Sequence, residues 1–221
     1  MIMESTKSLP DNYKHHIDIR PGDYRKGHLL VLLVTLPLAV GIYVLFINLA
    51  GINRPEIVQS VSWNPNFSIP VLLSIFFIFV LVAIIHESIH GTLIWIYTSE
   101  VPKLGIQFPG IGVEAPDWYI PREQMMFIEL APLFFITIIG AVLLFLVPPR
   151  YIGMVAIGST INVVGSYMDL AVFLYTYLLP EDSYIKPAEG YASIYLDKFE
   201  ESNWKSRLLK SLEQKLLPKF L

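Results

Sequence analysis

The sequence predicts an all-α membrane protein: four transmembrane helices, a small β-hairpin on the cytoplasmic side and an amphipathic C-terminal helix. Three observations carry this. Of 221 residues, 54% are hydrophobic and 16% charged, where a soluble domain carries about 25% charged residues. The apolar residues are gathered into runs that reach the roughly 20 residues a helix needs to cross a bilayer. Lys and Arg, in contrast, collect at the two ends of the chain, the pattern that orients a bundle with its termini in the cytoplasm. The chain has no cysteine, which excludes a thiolate metal site, a cysteine nucleophile and a disulfide. A formal net charge of −3 without a basic block gives no footprint for nucleic acid; the expected surroundings are a lipid bilayer.

The elements follow in order. Residues 1–28 form an N-terminal segment with Lys7, Lys14, Arg20, Arg25 and Lys26. The first span, Leu29–Ala50, is uncharged. It starts late, lacks a small-residue cleavage site and is long enough to cross, so it reads as a retained span and not a signal peptide. The loop at 51–69 is polar and turn-rich, with Asn53, Pro55, Asn64, Pro65 and Asn66. The second span, Pro70–Tyr97, is interrupted only by His86, Glu87 and His90. Between 98 and 124, the β-like runs Lys103–Phe108 and Ile111–Glu114 flank Pro109-Gly110 and predict a hairpin. The third span, Met125–Val147, contains Glu129, and Pro148-Pro149-Arg150 turns the chain into the fourth, Tyr151–Leu179, which contains Asp169.

The four spans make one domain, 29–179, followed by a tail, 180–221. From about Tyr195 the tail is amphipathic, with Leu208, Leu209, Leu212 and Leu216 on one face. It suits a helix lying on the cytoplasmic membrane surface or packed on the end of the bundle. The tail adds Lys186, Lys198, Lys205, Arg207, Lys210, Lys215 and Lys219, against Arg54 and Arg150 in the outer loops. Both termini and the middle loop, with Lys103 and Arg122, are therefore expected in the cytoplasm of a multi-pass cell-membrane protein.

The chemistry sits in the second span. His86-Glu87-Ser88-Ile89-His90 is an HExxH motif: two histidines at i and i+4 share a helix face and hold one zinc ion, and the glutamate between them serves as base. Ionisable groups inside a span cost roughly 2.5–3.5 kcal/mol each on insertion scales, and polar ties between membrane helices are usually Ser, Thr, Asn or Gln. Three ionisable residues in five positions are a costly way to make such a tie.

A zinc peptidase site needs a third protein ligand and leaves the fourth position to water. His15, His16 and His28 lie before or at the start of the first span and read as solvent or interface residues. Glu129 and Asp169 remain. His86 and His90 come about 16 and 20 residues into their span, ~24–30 Å down, and Asp169 about 18 residues into its own, ~27 Å down, at 1.5 Å per residue. Equal depth favours Asp169. Glu129 sits in the first turns of its span, where a carboxylate also suits the helix N-terminus, and stays as the alternative.

On the fourth span Ser159, Asn162, Ser166 and Asp169 are spaced 3, 4 and 3, which places them on one helix face. Gly158 and Gly165 nearly join it and allow close approach of a neighbouring helix. Ser159 and Ser166 read as seam residues bonded to backbone carbonyls. Asn162 carries an amide able to hydrogen-bond the oxyanion of a tetrahedral intermediate.

Together these features resemble the Putative zincin peptidase family, small membrane proteins first catalogued as a domain of unknown function and similar in turn to site-2 proteases, which cut substrates within the membrane. The resemblance covers about residues 70–180. It rests on the HExxH motif in a span, the hairpin after it, Ala131-Pro132 early in the next span, and the ordered Asn162, Gly165-Ser166 and Asp169. It implies zinc at His86, His90 and Asp169, Glu87 as catalytic base and Asn162 as a substrate or oxyanion contact. The chain departs from site-2 proteases in that Leu170 follows Asp169 and no proline stands between Asn162 and Asp169.

The expected function is a membrane-embedded zinc metalloprotease acting on peptide bonds of membrane-protein substrates within or near the bilayer. A zinc transporter or sensor is the alternative, although it would usually need a second metal-rich helix. A catalytically inactive scaffold is the third reading, and it has no need of Glu87.

Overall fold

The computed structural model describes residues 3–19, 25–53, 68–107, 110–188 and 191–197. It is mostly helical. Helix α1 spans Arg25–Asn53 and α2 spans Ile69–Thr98. After a hairpin come α3 (Arg122–Leu146), a 3-10 turn at Pro149–Tyr151, α4 (Ile152–Gly165) and α5 (Tyr167–Leu178). Among the described residues, three helices are long and apolar enough to cross a membrane, and α4 and α5 pass the same test as a pair bent by 44°. Their apolar side chains stay largely uncovered, Phe76, Phe77 and Leu146 at 64, 68 and 71% exposure. Apolar area on that scale marks contact with lipid or protein.

Local chemistry sets the helix ends. Pro70 in the first turn of α2 costs no intrahelical bond. At the other end Thr98 Oγ1 donates to the Ile94 carbonyl at 2.7 Å. Ser99 then adopts φ 56° and gives its N–H to the Trp95 carbonyl at 2.7 Å, the left-handed stop that ends many helices. Just beyond, Lys7 and the Trp118 indole N–H hold the Glu100 carboxyl below the usual carboxylate range. The 3-10 turn starts on Pro148-Pro149, which cannot continue α3.

The hairpin is present. Strand β2 (Lys103–Gln107) pairs antiparallel with β3 (Gly110–Glu114), in register from Lys103 opposite Glu114 to Gln107 opposite Gly110.

A second sheet is not foreseen from the sequence. It joins β1 (Tyr13–Ile19), β4 (Ile120–Pro121), β5 (Tyr184–Ala188) and β6 (Tyr191–Asp197) in the order β1-β6-β5-β4, all neighbours antiparallel. The N-terminal segment and the start of the tail thus share one sheet with the middle loop. Residues 191–197 form a strand, and the Leu208–Leu216 face expected to be helical lies outside the described residues.

By contacts the chain divides into two units, Met1–Leu30, Glu87–Ala131 and Met168–Leu221 in one and Val31–His86 and Pro132–Tyr167 in the other. In the first, Ile120, Ile185 and Ile194 of the sheet pack with Ile94, Met125, Ile128 and Leu179. Strand alternation explains this: Ile185 faces Ile194 across the ladder, and the next pair, Tyr184 and Tyr195, points to the other face. In the same unit Arg122 is buried, and its guanidinium donates to the carbonyls of Thr176 (3.0 Å) and Tyr177 (2.7 Å). A cation at the start of α3 is poorly placed for its own helix but well placed for the C-terminus of α5. The second unit is centred on Phe46, Ala50, Leu144, Ile152 and Ala156.

Candidate metal centre

Helix α2 is unbroken through the motif. The boundary between the units falls inside it, after His86, so the helix itself holds His86 and His90 one turn apart on one face. Both histidines are buried and Glu87 is half-buried.

The fourth apolar run is not one straight helix. It breaks at Ser166, whose N–H (2.8 Å) and hydroxyl (2.9 Å) both donate to the Asn162 carbonyl. That hydroxyl bond is the seam role expected for Ser166. Asp169 therefore stands in the first turn of a new helix, α5, where a carboxylate is favoured by the exposed N–H groups. Its Oδ1 lies 3.7 Å from His90 Nε2.

Among the described residues, His86, His90 and Asp169 form the one group of three His, Asp or Glu side chains close enough for a shared ion, with a ligand atom from each within 4.8 Å of the others. Bonds of about 2.0–2.2 Å to zinc put neighbouring ligand atoms of a tetrahedral site about 3.4 Å apart, close to the His90–Asp169 separation. Two imidazole nitrogens and one carboxylate oxygen form the donor set of a catalytic zinc site with one position open. The residues present fit the metal that the motif calls for.

Glu129, the alternative ligand, is half-buried on α3 and within electrostatic reach of Asp169 and Glu87, but it is not in the group of three. His15 and His16 lie on β1, where His15 Nε2 is 2.7 Å from Asp18 Oδ1.

Asn162 is 1% exposed. Its Oδ1 is 3.0 Å from His86 Nδ1, and its Nδ2 donates to the Pro132 carbonyl at 3.2 Å. Close helix packing makes this possible. A methyl group at Gly158 would sit 3.4 Å from Ile78 and 3.6 Å from Val82, so the α4 backbone runs close to α2. Ile78, Val82 and His86 repeat every four residues, as do Gly158 and Asn162; one turn beyond the glycine, the short amide reaches the histidine. The helices run parallel here. Gly165 has no neighbour of this kind within 4 Å, so the close approach rests on Gly158. Sequence reasoning misses the role of the Pro132 carbonyl, although Ala131-Pro132 is visible as a motif.

With this constellation in place, the chain can be compared with known families. Residues 78–184 match the Putative zincin peptidase family. The matched segment contains His86, Glu87, His90, both hairpin strands, α3, Asn162 and Asp169, and ends at the start of β5. Helix α1, β1 and β6 lie outside it. No curated protein and no solved structure matches the chain. The zincin peptidase match indicates a metallopeptidase, implies zinc and fits a chain with several long apolar helices.

Proposed function

We propose that the chain is a membrane-embedded zinc endopeptidase that hydrolyses peptide bonds of membrane proteins within or near the bilayer. The observation that carries this is the group His86, His90 and Asp169, with Glu87 inside the same helical motif and within a segment of zincin peptidase character. The three residues would hold the metal. When bound, zinc supplies a Lewis acid and lowers the pKa of its water.

Glu87 is the base. It takes a proton from the attacking water as the new C–O bond forms at the scissile carbonyl carbon. It then gives that proton to the amide nitrogen as the C–N bond breaks, so the glutamate ends as it began. The hairpin offers strand backbone to which an unwound substrate can add.

We further propose four spans, with residues 1–28 and 180–221 in the cytoplasm flanking the membrane domain 29–179, in the cell membrane. The sheet supports this. Strands that hydrogen-bond to one another lie on the same side of a bilayer. Between β1 and β4 stand α1 and α2; between β4 and β5 stand α3 and the bent pair. Two crossings in each interval, with the bent pair taken as one span, are consistent with these pairings. The parallel run of α4 beside α2 agrees.

Reconstitution in liposomes tests the function against transport. The expected outcome is chelator-sensitive cleavage of co-reconstituted single-span substrates, with no zinc entry into dye-loaded vesicles. Zinc entry without cleavage would replace the peptidase with a transporter.

A further inference from the structure

We infer that Asn162 is a positioning residue that fixes the tautomer of His86, leaving Nε2 as the atom that faces a metal. This rests on the metal-site reading above. The chain of donors and acceptors has one consistent solution. The Pro132 carbonyl only accepts, so the Asn162 atom 3.2 Å from it is the donor Nδ2. The amide oxygen is thereby turned to His86 Nδ1, 3.0 Å away. An amide oxygen only accepts, so Nδ1 carries the proton. A neutral imidazole has one N–H, which leaves the lone pair on Nε2.

Three helices contribute: the carbonyl from α3, the amide from α4 and the imidazole from α2. His86 and Asn162 are buried, where an alternative arrangement would leave two donors facing each other or a donor without acceptor, at the high cost of unpaired polar groups in a dry site. Partners of this kind orient ligand histidines and fix which nitrogen binds. An oxyanion contact would instead require Nδ2 to leave the Pro132 carbonyl. His90 is held differently, with Nε2 facing Asp169, so the two histidines depend on different supports.

The test uses the full chain in detergent micelles, ¹⁵N-labelled at histidine and metal-free, with His86→Gln to assign the His86 ring. The wild-type ring should show the Nδ1–H form. Asn162→Leu should return it to the Nε2–H form common in free histidine, and Asn162→Asp, which keeps the acceptor and drops the donor, should retain Nδ1–H. Zinc affinity, by chelator competition, should fall about 10–100-fold in Asn162→Leu and be largely kept in Asn162→Asp. An Nε2–H form at His86 in the wild type, or an Asn162→Leu chain that binds zinc as the wild type does, overturns the inference. If the wild type shows Nδ1–H yet takes up no zinc, the metal reading falls and the orientation of His86 by Asn162 stands.

Discussion

Glu87→Gln should remove peptide-bond cleavage while leaving zinc content near that of the wild type. The glutamate adjoins His86 in sequence, but at i+1 on a helix it stands to one side of the face that His86 and His90 share and is not part of the three-residue group, so it is placed to address a metal-bound water rather than the metal. Its proposed role is proton transfer, which is typically worth 10²–10⁴-fold in rate. Glutamine keeps the size and polarity and cannot take the proton. Zinc content and cleavage of a membrane substrate, measured on one preparation, separate the readings. A transporter predicts changed metal affinity or flux, and a scaffold predicts no change in either. Cleavage at the wild-type rate in this variant would remove the mechanism.

Asp169→Ala should strip zinc from the site, and Glu129→Gln should not. Both carboxylates fall on helices of the apolar runs, and Glu129 lies in the electrostatic field of Asp169 and Glu87, but of the two it is Asp169 that brings an oxygen to His90, at 3.7 Å. Losing a direct ligand should weaken binding by more than the roughly 10–100-fold that follows from losing a supporting hydrogen bond. Competition against a chelator of known affinity gives the comparison. If Glu129→Gln loses the metal and Asp169→Ala keeps it, Glu129 is the ligand.

The helices and the hairpin are legible in the sequence because their signals are local. A long uncharged run gives α1, and two short runs around Pro109-Gly110 give β2 and β3. The sheet is not legible, because its partners are far apart: β1 pairs with β6 across nearly the whole chain, and each strand alone is too short and mixed to stand out from loop. The tail illustrates this. Tyr191–Asp197 is a strand, whereas the sequence alone reads an amphipathic helix from about Tyr195, because β1, one of the two strands that hold this segment extended, lies far away in the chain.

Within the site, the depth argument pairs Asp169 with the histidines by treating the fourth run as one straight helix. The structure reaches the same juxtaposition through a break at Ser166 and a 44° bend, which no periodicity announces. The face shared by Asn162 and Asp169 is correspondingly not continuous, and Asn162 meets His86 instead. Arg122 shows a further limit. It counts toward the charge bias of the middle loop, yet it is buried against the end of α5. The one sequence hint is its unfavourable position at a helix N-terminus.

The most direct test of the central claim is metal analysis of the purified chain, wild type beside His86→Ala. The wild type should hold close to one zinc ion per chain after desalting, and His86→Ala almost none. Equal zinc in the two proteins, or none in the wild type after exposure to zinc, would contradict a metal centre built on His86, His90 and Asp169.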